Sequence, residues 1–280
     1  MGTLLPLLCV LVGNAPAAVE TRFAQVAPAA REVAAFARSP GRARAVILIH
    51  GLRIHPISKF GIVRAAFSDW QQESSALVKQ LARDSDVFAF AYTQTAPADE
   101  VAETPDLSDS LRRVRLLGYA ELVLVGYSAG GVIAREFVED NPDAGVTKVV
   151  QVCAPNGGSG WASLPSLCKQ QTQFLHSLTK QTRLRVLGAR ADRQLPPQVE
   201  FVCLVGTGTR VGDGLVSKKS QWTDELQRQG VPAVPVNDTH WHVLHGKKGV
   251  ELIASLVREP QSRWDAARVA AVRREILGTP

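Results

Sequence analysis

Six short apolar runs, rich in β-branched residues, punctuate the chain. They are ARAVILIHG (43–51), DVFAFAYT (86–93), AELVLVGYS (120–128), TKVVQVCAP (147–155), VEFVCLVGTG (199–208) and VPAVPVND (231–238). Most are apolar at odd and even positions alike, the pattern of strands covered on both faces of a parallel sheet. Between them lie segments with apolar residues at helical spacing: SDWQQESSALVKQLARD (68–84), LSDSLRRVRLLG (107–118), AGGVIAREFVED (129–140) and GVELIASLVRE (249–259). Ser68 stands where a helix cap belongs and Gly118 where a helix closes. Strand and helix in alternation predict an α/β fold, an open and mostly parallel central sheet with helices on both faces.

One interval breaks the rhythm. Residues 156–198, NGGSGWASLPSLCKQQTQFLHSLTKQTRLRVLGARADRQLPPQ, are far more than a plain crossover requires. They begin with glycines and continue with helical patterns, so they read as a helical lid or cap inserted over a site, the alternative being a decorated crossover. The tail SRWDAARVAAVRREILG (262–278) reads as an amphipathic helix that packs Trp264, Val269 and Ile276 inward. The main domain accordingly runs over 40–280.

The 280 residues, 45% apolar and 21% charged, are enough for one α/β domain of the larger kind. The net charge of +6 comes from scattered arginines. Without a basic tract interleaved with aromatics it does not point to nucleic acid; it suits attraction to anionic surfaces and substrates. The opening MGTLLPLLCVLVGNAPAAVE carries an apolar run from Leu4 to Val12 and then small residues suited to cleavage after Ala17 or Ala18. Residues 1–18 therefore read as a signal peptide and the protein as exported, periplasmic or secreted. The lack of any Lys or Arg before Arg22 leaves open a buried N-terminal element and a cytoplasmic protein. Removing the signal takes Cys9 with it. Cys153, Cys168 and Cys203 remain, allowing one internal disulfide at most, with Cys153 and Cys168 the nearest pair.

The chemistry concentrates at LVGYSAGGVIAR (124–135). Gly126-Tyr127-Ser128-Ala129-Gly130 is a GxSxG pattern directly after a buried strand and directly before a helix, the context of a nucleophile elbow. Small residues two places either side of Ser128 let strand and helix backbones approach closely. A serine hydroxyl near neutral pH needs a base, and the base needs an orienting carboxylate, in the chain order Ser, acid, His on such a fold. Asp213, in the Gly-Asp-Gly turn of GTGTRVGDGLVS, is the acid candidate, ahead of Asp192 and Asp224. His240, in NDTHWHVLHGKKGVELI, is the base candidate; His242 stays open as an alternative, and His245 reads as surface. The H-x-H-x-x-H spacing lacks a matching carboxylate or cysteine cluster, so no metal is expected. Backbone amides for a developing oxyanion are expected from Ala129 and, in VILIHGLRIHP, from Leu52, with Gly51 permitting the turn and His50 structural.

Together, ILIHGL, LVGYSAGGVIAR, and GDGLVS followed by THWHVL resemble the α/β-hydrolase superfamily, most nearly its bacterial lipases and GPI inositol-deacylase-like esterases. The resemblance covers Ala43 to Val257. It implies an eight-stranded, mostly parallel sheet, a mobile lid and cofactor-free hydrolysis of acyl esters. Ser128 is then the nucleophile, Asp213 the acid, His240 the base, and Leu52 and Ala129 the oxyanion amides. Trp161, Leu164, Leu167 and Phe174 in the inserted segment favour a lipid-like acyl group. The expected partners are a small-molecule or lipid ester and, transiently, a membrane surface. An acyltransferase on the same residues, or a silent hydrolase-fold binding protein, are the alternatives.

Overall fold

The computed structural model describes residues 19–30, 35–53, 60–163 and 168–278, with backbone only at Phe60 and Gly61. The signal-peptide reading of 1–18, Cys9, Leu164 and Leu167 lie outside the described residues.

Eight strands form one sheet. They are β1 (Thr21–Ala27), β2 (Ala29–Ala30), β3 (Arg44–Ile49), β4 (Ser85–Tyr92), β5 (Glu121–Tyr127), β6 (Lys148–Val152), β7 (Glu200–Gly206) and β8 (Ala233–Val236). Their order is β2-β1-β4-β3-β5-β6-β7-β8. From β4 to β8 every neighbouring pair is parallel, while β1 runs antiparallel to β4 and to β2. All six expected runs became strands. The outer two did not announce themselves in the sequence, and they carry the sheet further toward the N-terminus than the expected segment 40–280. TRFAQVA, which only the two-residue β2 flanks on its outer side, lacks a continuous apolar run, and its Gln25 is buried by tertiary contact. Its carboxamide donates to Ala37 O (2.9 Å) and accepts from Ala37 N (3.0 Å).

The sheet is covered on both faces, which explains why its central strands are apolar throughout. Ala45, Ile47, Ile49, Phe88, Phe90, Leu122, Leu124 and Val149 face one core, under the helices Ala98–Ala102, Pro105–Leu116 and Ala129–Asp140. Val46, Leu48, Val87, Ala89, Val123, Val125, Val150 and Val152 face the other, under Ala76–Leu81 and Lys247–Arg258. The segment 68–84, expected as one helix, is broken. Ser68 caps only a short turn, Asp69–Gln71, through a capping box, and Ser75 caps the helix proper by accepting from Val78 N. The tail forms the helix Ala266–Leu277, capped by Asp265. Ile276 is buried, and Trp264 and Val269 pack against the core as expected. Among the described residues, no helix is long and apolar enough to cross a membrane.

The long interval between β6 and β7 is a helical insertion. It holds short turns at Trp161–Ser163 and Lys169–Gln171 and helices at Thr172–Ser177 and Lys180–Ala189. Its second half is clamped to the helix Ala129–Asp140. Arg183 and Glu136, 2% and 1% exposed, pair at 2.6 Å, and Arg190 pairs with Glu139 (3.1 Å) and Asp140 (2.9 Å). Phe174, expected among the apolar residues of a lid, is instead wholly buried against Tyr92 with ring centroids 5.8 Å apart. It belongs to the core because the helix Thr172–Ser177 lies over the carboxyl end of β4.

Removing one partner of a buried ion pair strands the other charge. Glu136→Ala is therefore expected to cost about 3–5 kcal/mol in urea unfolding. The double variant Glu136→Leu/Arg183→Met recovers most of that loss.

Candidate active site

Ser128 directly follows β5 and precedes the helix Ala129–Asp140 with φ 53° and ψ −124°, a conformation that L residues rarely adopt. The neighbouring glycines explain how this turn closes. A Cβ on Gly126 would stand 2.4 Å from Gly130 O, and one on Gly130 would stand 2.3 Å from Ile49 O and 2.5 Å from His50 O. Only glycine fits between these backbones. The turn is held by Ser128 N donating to Val152 O (2.8 Å) and Gly131 N donating to Ser128 O (2.9 Å).

Three side chains far apart in sequence meet at this turn. His240 lies in the loop after β8, with Nε2 at 3.0 Å from Ser128 Oγ and Nδ1 at 2.8 Å from Asp213 Oδ2. All three residues are at most 4% exposed. The Asp213 carboxylate meets donors on both oxygens: Leu215 N (2.9 Å) and Val216 N (2.7 Å) on Oδ1, and Gln221 Nε2 (3.2 Å) on Oδ2 beside His240. The two loops are also joined through backbone, with His240 N donating to Asp213 O (2.9 Å). The Tyr127 hydroxyl donates to His240 O (2.8 Å).

His242 and His245 do not converge on the serine. His242 is exposed, its Nδ1 2.9 Å from Asp238 Oδ1, and His245 is exposed with Nδ1 3.0 Å from Trp241 O. Leu244 packs inward between them. Asp192 and Asp224 stand elsewhere, and Asp224 forms a surface pair with Lys219 at 3.5 Å.

The expected amide donors lie where the loop after β3 touches the elbow. A Cβ on Gly51 would stand 2.5 Å from Ser128 Cβ and 2.7 Å from Tyr127 O, so this loop abuts the serine. Among the described residues, neither Leu52 N–H nor Ala129 N–H has a hydrogen-bond partner. His50 is structural. It stacks on Tyr92 with ring centroids 4.3 Å apart, and burial, helped by the Arg53 charge, lowers its pKa to about 3. Its Nε2 accepts Tyr92 N–H (3.3 Å), and its Nδ1 lies 2.8 Å from Gly51 O.

Sequence reasoning missed Gln221, Tyr127 and Cys153 as neighbours of this group. Cys153 follows β6 with φ 54°, and its thiol joins Asp213 and His240 in a buried cluster with ligand-type atoms within 4.8 Å. Burial, then the Asp213 charge, push that thiol well above its ordinary range, which keeps it neutral. No local signal marked it, because its neighbours arrive from other strands. Cys153 and Cys203 are buried free thiols, so the pair Cys153 and Cys168, the nearest that the spacing allowed, is not joined. Cys153 turns toward the Asp213 loop, and Cys168 donates to Gln170 Oε1 (3.2 Å).

The sheet order, the crossover helices and the serine at the end of β5 define the α/β-hydrolase fold. Solved structures with this fold include lipases and esterases. The mature lipase BlEst2 of Bacillus licheniformis superposes with a TM-score of 0.61 at 15% identity, over 78% of this chain and 93% of that one. Phospholipase PlaB from Legionella pneumophila gives 0.55 at 12% identity, over 84% and 62%, so the chain spans less than two thirds of that protein. The metagenomic carboxyl esterase MGS0156 gives 0.50 at 18% identity, over 86% and 77%. No family model and no curated sequence matches the chain.

The buried His50 makes stability depend on pH with a definite sign. Unfolded, it titrates near 6.5, whereas in the native state it titrates near 3. Between these values the unfolded chain binds the extra proton. This contribution to stability is thus complete above pH 6.5 and is lost as the pH falls toward 3, at up to about 1.4 kcal/mol per pH unit. In urea titrations from pH 7.5 to 4, His50→Gln is expected to show a shallower acid loss than the wild type.

Proposed function

We propose that the protein is a serine hydrolase of carboxylic esters, acting through an acyl-enzyme. The observation that carries this reading is the unbroken chain Ser128 Oγ–His240 Nε2 and His240 Nδ1–Asp213 Oδ2, at 3.0 and 2.8 Å, with two nearby amides that have no partner among the described residues. In this reading His240 takes the Ser128 proton as Oγ attacks the ester carbonyl. Asp213 keeps the ring oriented and stabilises the imidazolium, without itself taking the proton. Leu52 N–H and Ala129 N–H receive the oxyanion, the latter at the start of a helix, where the backbone dipole adds to the field. His240 then returns the proton to the leaving alcohol. Water attacks the acyl-enzyme with the same base. No cofactor takes part.

The acyl group is proposed to be lipid-like. Three large apolar side chains border the site: Trp161, 57% exposed, which donates to Gly214 O next to Asp213 (3.1 Å); Val211 in the Asp213 loop, 71% exposed; and Trp241 beside His240, 51% exposed. A rim of this kind presents apolar surface to water unless an apolar substrate or an amphiphile surface covers it. The insertion 156–198 acts as the cap in this reading, on a single α/β domain.

The test is hydrolysis of p-nitrophenyl esters of increasing acyl length. Ser128→Ala and His240→Ala are expected to lose roughly 10³-fold or more in kcat, and Asp213→Asn about 10⁴-fold. His242→Ala retains activity within about threefold, since its ring faces Asp238. An optimum at long acyl chains supports the lipid-like substrate; an optimum at acetate refutes it. Loss of activity in His242→Ala overturns the choice of base. A wild type inert both to the esters and to a fluorophosphonate probe overturns the hydrolase reading.

A further inference from the structure

Leu52 sits between two peptide groups that are held from outside their own strand. Gln94, wholly buried two residues past β4, donates from Nε2 to Gly51 O (2.8 Å) and accepts Arg53 N–H on Oε1 (3.0 Å). Gln171, 4% exposed, reaches across from the insertion. Its Nε2 donates to the same Gln94 Oε1 (2.7 Å) and to Arg53 O (2.8 Å). The orientation of Gln94 is dictated by its partners: a flipped amide would set its NH₂ against two donors and its oxygen against a carbonyl.

Because the peptide unit is planar and trans, Gly51 O and Leu52 N–H point in opposite directions across one plane. Holding Gly51 O on Gln94, with His50 Nδ1 also 2.8 Å from it, therefore aims Leu52 N–H away from Gln94. The same peptide unit lies against Ser128, where a Gly51 Cβ would come within 2.5 Å of Ser128 Cβ. Arg53 N–H and C=O are both engaged by the two glutamines, so the plane after Leu52 is held as well. A backbone donor useful to a transition state must be in place before charge develops, and a loose loop would have to be ordered during the reaction.

We propose that Gln94 and Gln171 are positioning residues for the Leu52 amide, and that Gln171 makes this donor's alignment depend on the insertion being seated. The inference rests on the ester-hydrolase reading. The insertion is tied on the other side of the serine too, where Ser159 Oγ donates to Leu215 O (2.7 Å) and Trp161 Nε1 to Gly214 O (3.1 Å), both in the Asp213 loop. A seated insertion thus braces the acid loop at one end and the amide loop at the other. Displacing it removes Gln171 from Gln94 Oε1 and Arg53 O, and leaves the Gly51 carbonyl on Gln94 and His50 with Arg53 O released.

The experiment compares wild type with Gln171→Met, which keeps length without donors, and with Gln171→Ala as a second variant. kcat and KM for the best p-nitrophenyl ester are measured beside the inhibition constant of a trifluoromethyl ketone bearing the same acyl chain. Ser128 Oγ adds to that ketone, its proton passes to His240, and the former carbonyl oxygen becomes the oxyanion. The expected result is a fall in kcat of about 10- to 100-fold with KM within about twofold. Ketone affinity falls by the same factor as kcat, and the pH profile of kcat/KM keeps its shape because the base is untouched. Variants that melt at lower temperature but keep kcat and ketone affinity overturn the inference and leave the hydrolase reading standing. A wild type that neither cleaves the ester nor binds the ketone overturns both.

Discussion

The rest of this structure depends on one close approach of backbones. At the end of β5 the chain turns into the helix Ala129–Asp140 so tightly that Gly126 meets the backbone of Gly130, and Gly130 meets the carbonyls of Ile49 and His50, at separations no Cβ could share. Ser128 is left with positive φ, a strain of order 1–3 kcal/mol that persists only because its surroundings over-determine it. They do so from three sides. β3 and β6 flank β5 in parallel register, and the loop after β3 closes over the turn at Gly51. The constraint that sets Ser128 at this turn also brings the Gly51 loop against it.

Around that turn the charges are arranged asymmetrically. The carboxylate of Asp213 is met by donors from its own loop, from Gln221 and from His240, whereas His50, equally buried, is held neutral among backbone groups and the Tyr92 ring. Two histidines within reach of one elbow thus have opposite characters. One has a carboxylate on one side and a hydroxyl on the other, geometry that suits proton transfer. The other stacks on a ring and braces the amide loop. Burial alone does not distinguish them; the carboxylate does.

The insertion between β6 and β7 has two differently built halves. The helix Lys180–Ala189 is fastened by the buried Arg183–Glu136 pair, and Arg190 just past it by a part-buried pair with Asp140, to the helix Ala129–Asp140, and Phe174 is part of the core. Ser159, Trp161 and Gln171 instead reach the loops that carry Asp213 and Leu52 through side-chain hydrogen bonds. Contacts of that second kind are individually worth about 1 kcal/mol and part more readily than a buried ion pair.

The alternation of doubly apolar runs with helical segments was enough for the α/β class and for six of the eight strands, since burial on both faces leaves a continuous apolar trace. GxSxG located the turn, because a backbone too crowded for any Cβ must be written in glycine. Chain order placed Asp213 and His240 as candidates but left His242 open, as H-x-H spacing carries no direction. Tertiary structure turns the His240 ring toward Asp213 and the His242 ring toward Asp238. It also decided what no local pattern could carry: a strand whose Gln25 is satisfied by Ala37, the Cys153 thiol set beside Asp213, and the meeting of Gln94 with Gln171 over the Leu52 amide. Periodicity and glycine placement record constraints within a few residues of chain. A hydrogen bond between groups 77 residues apart is recorded only in the fold that brings them together.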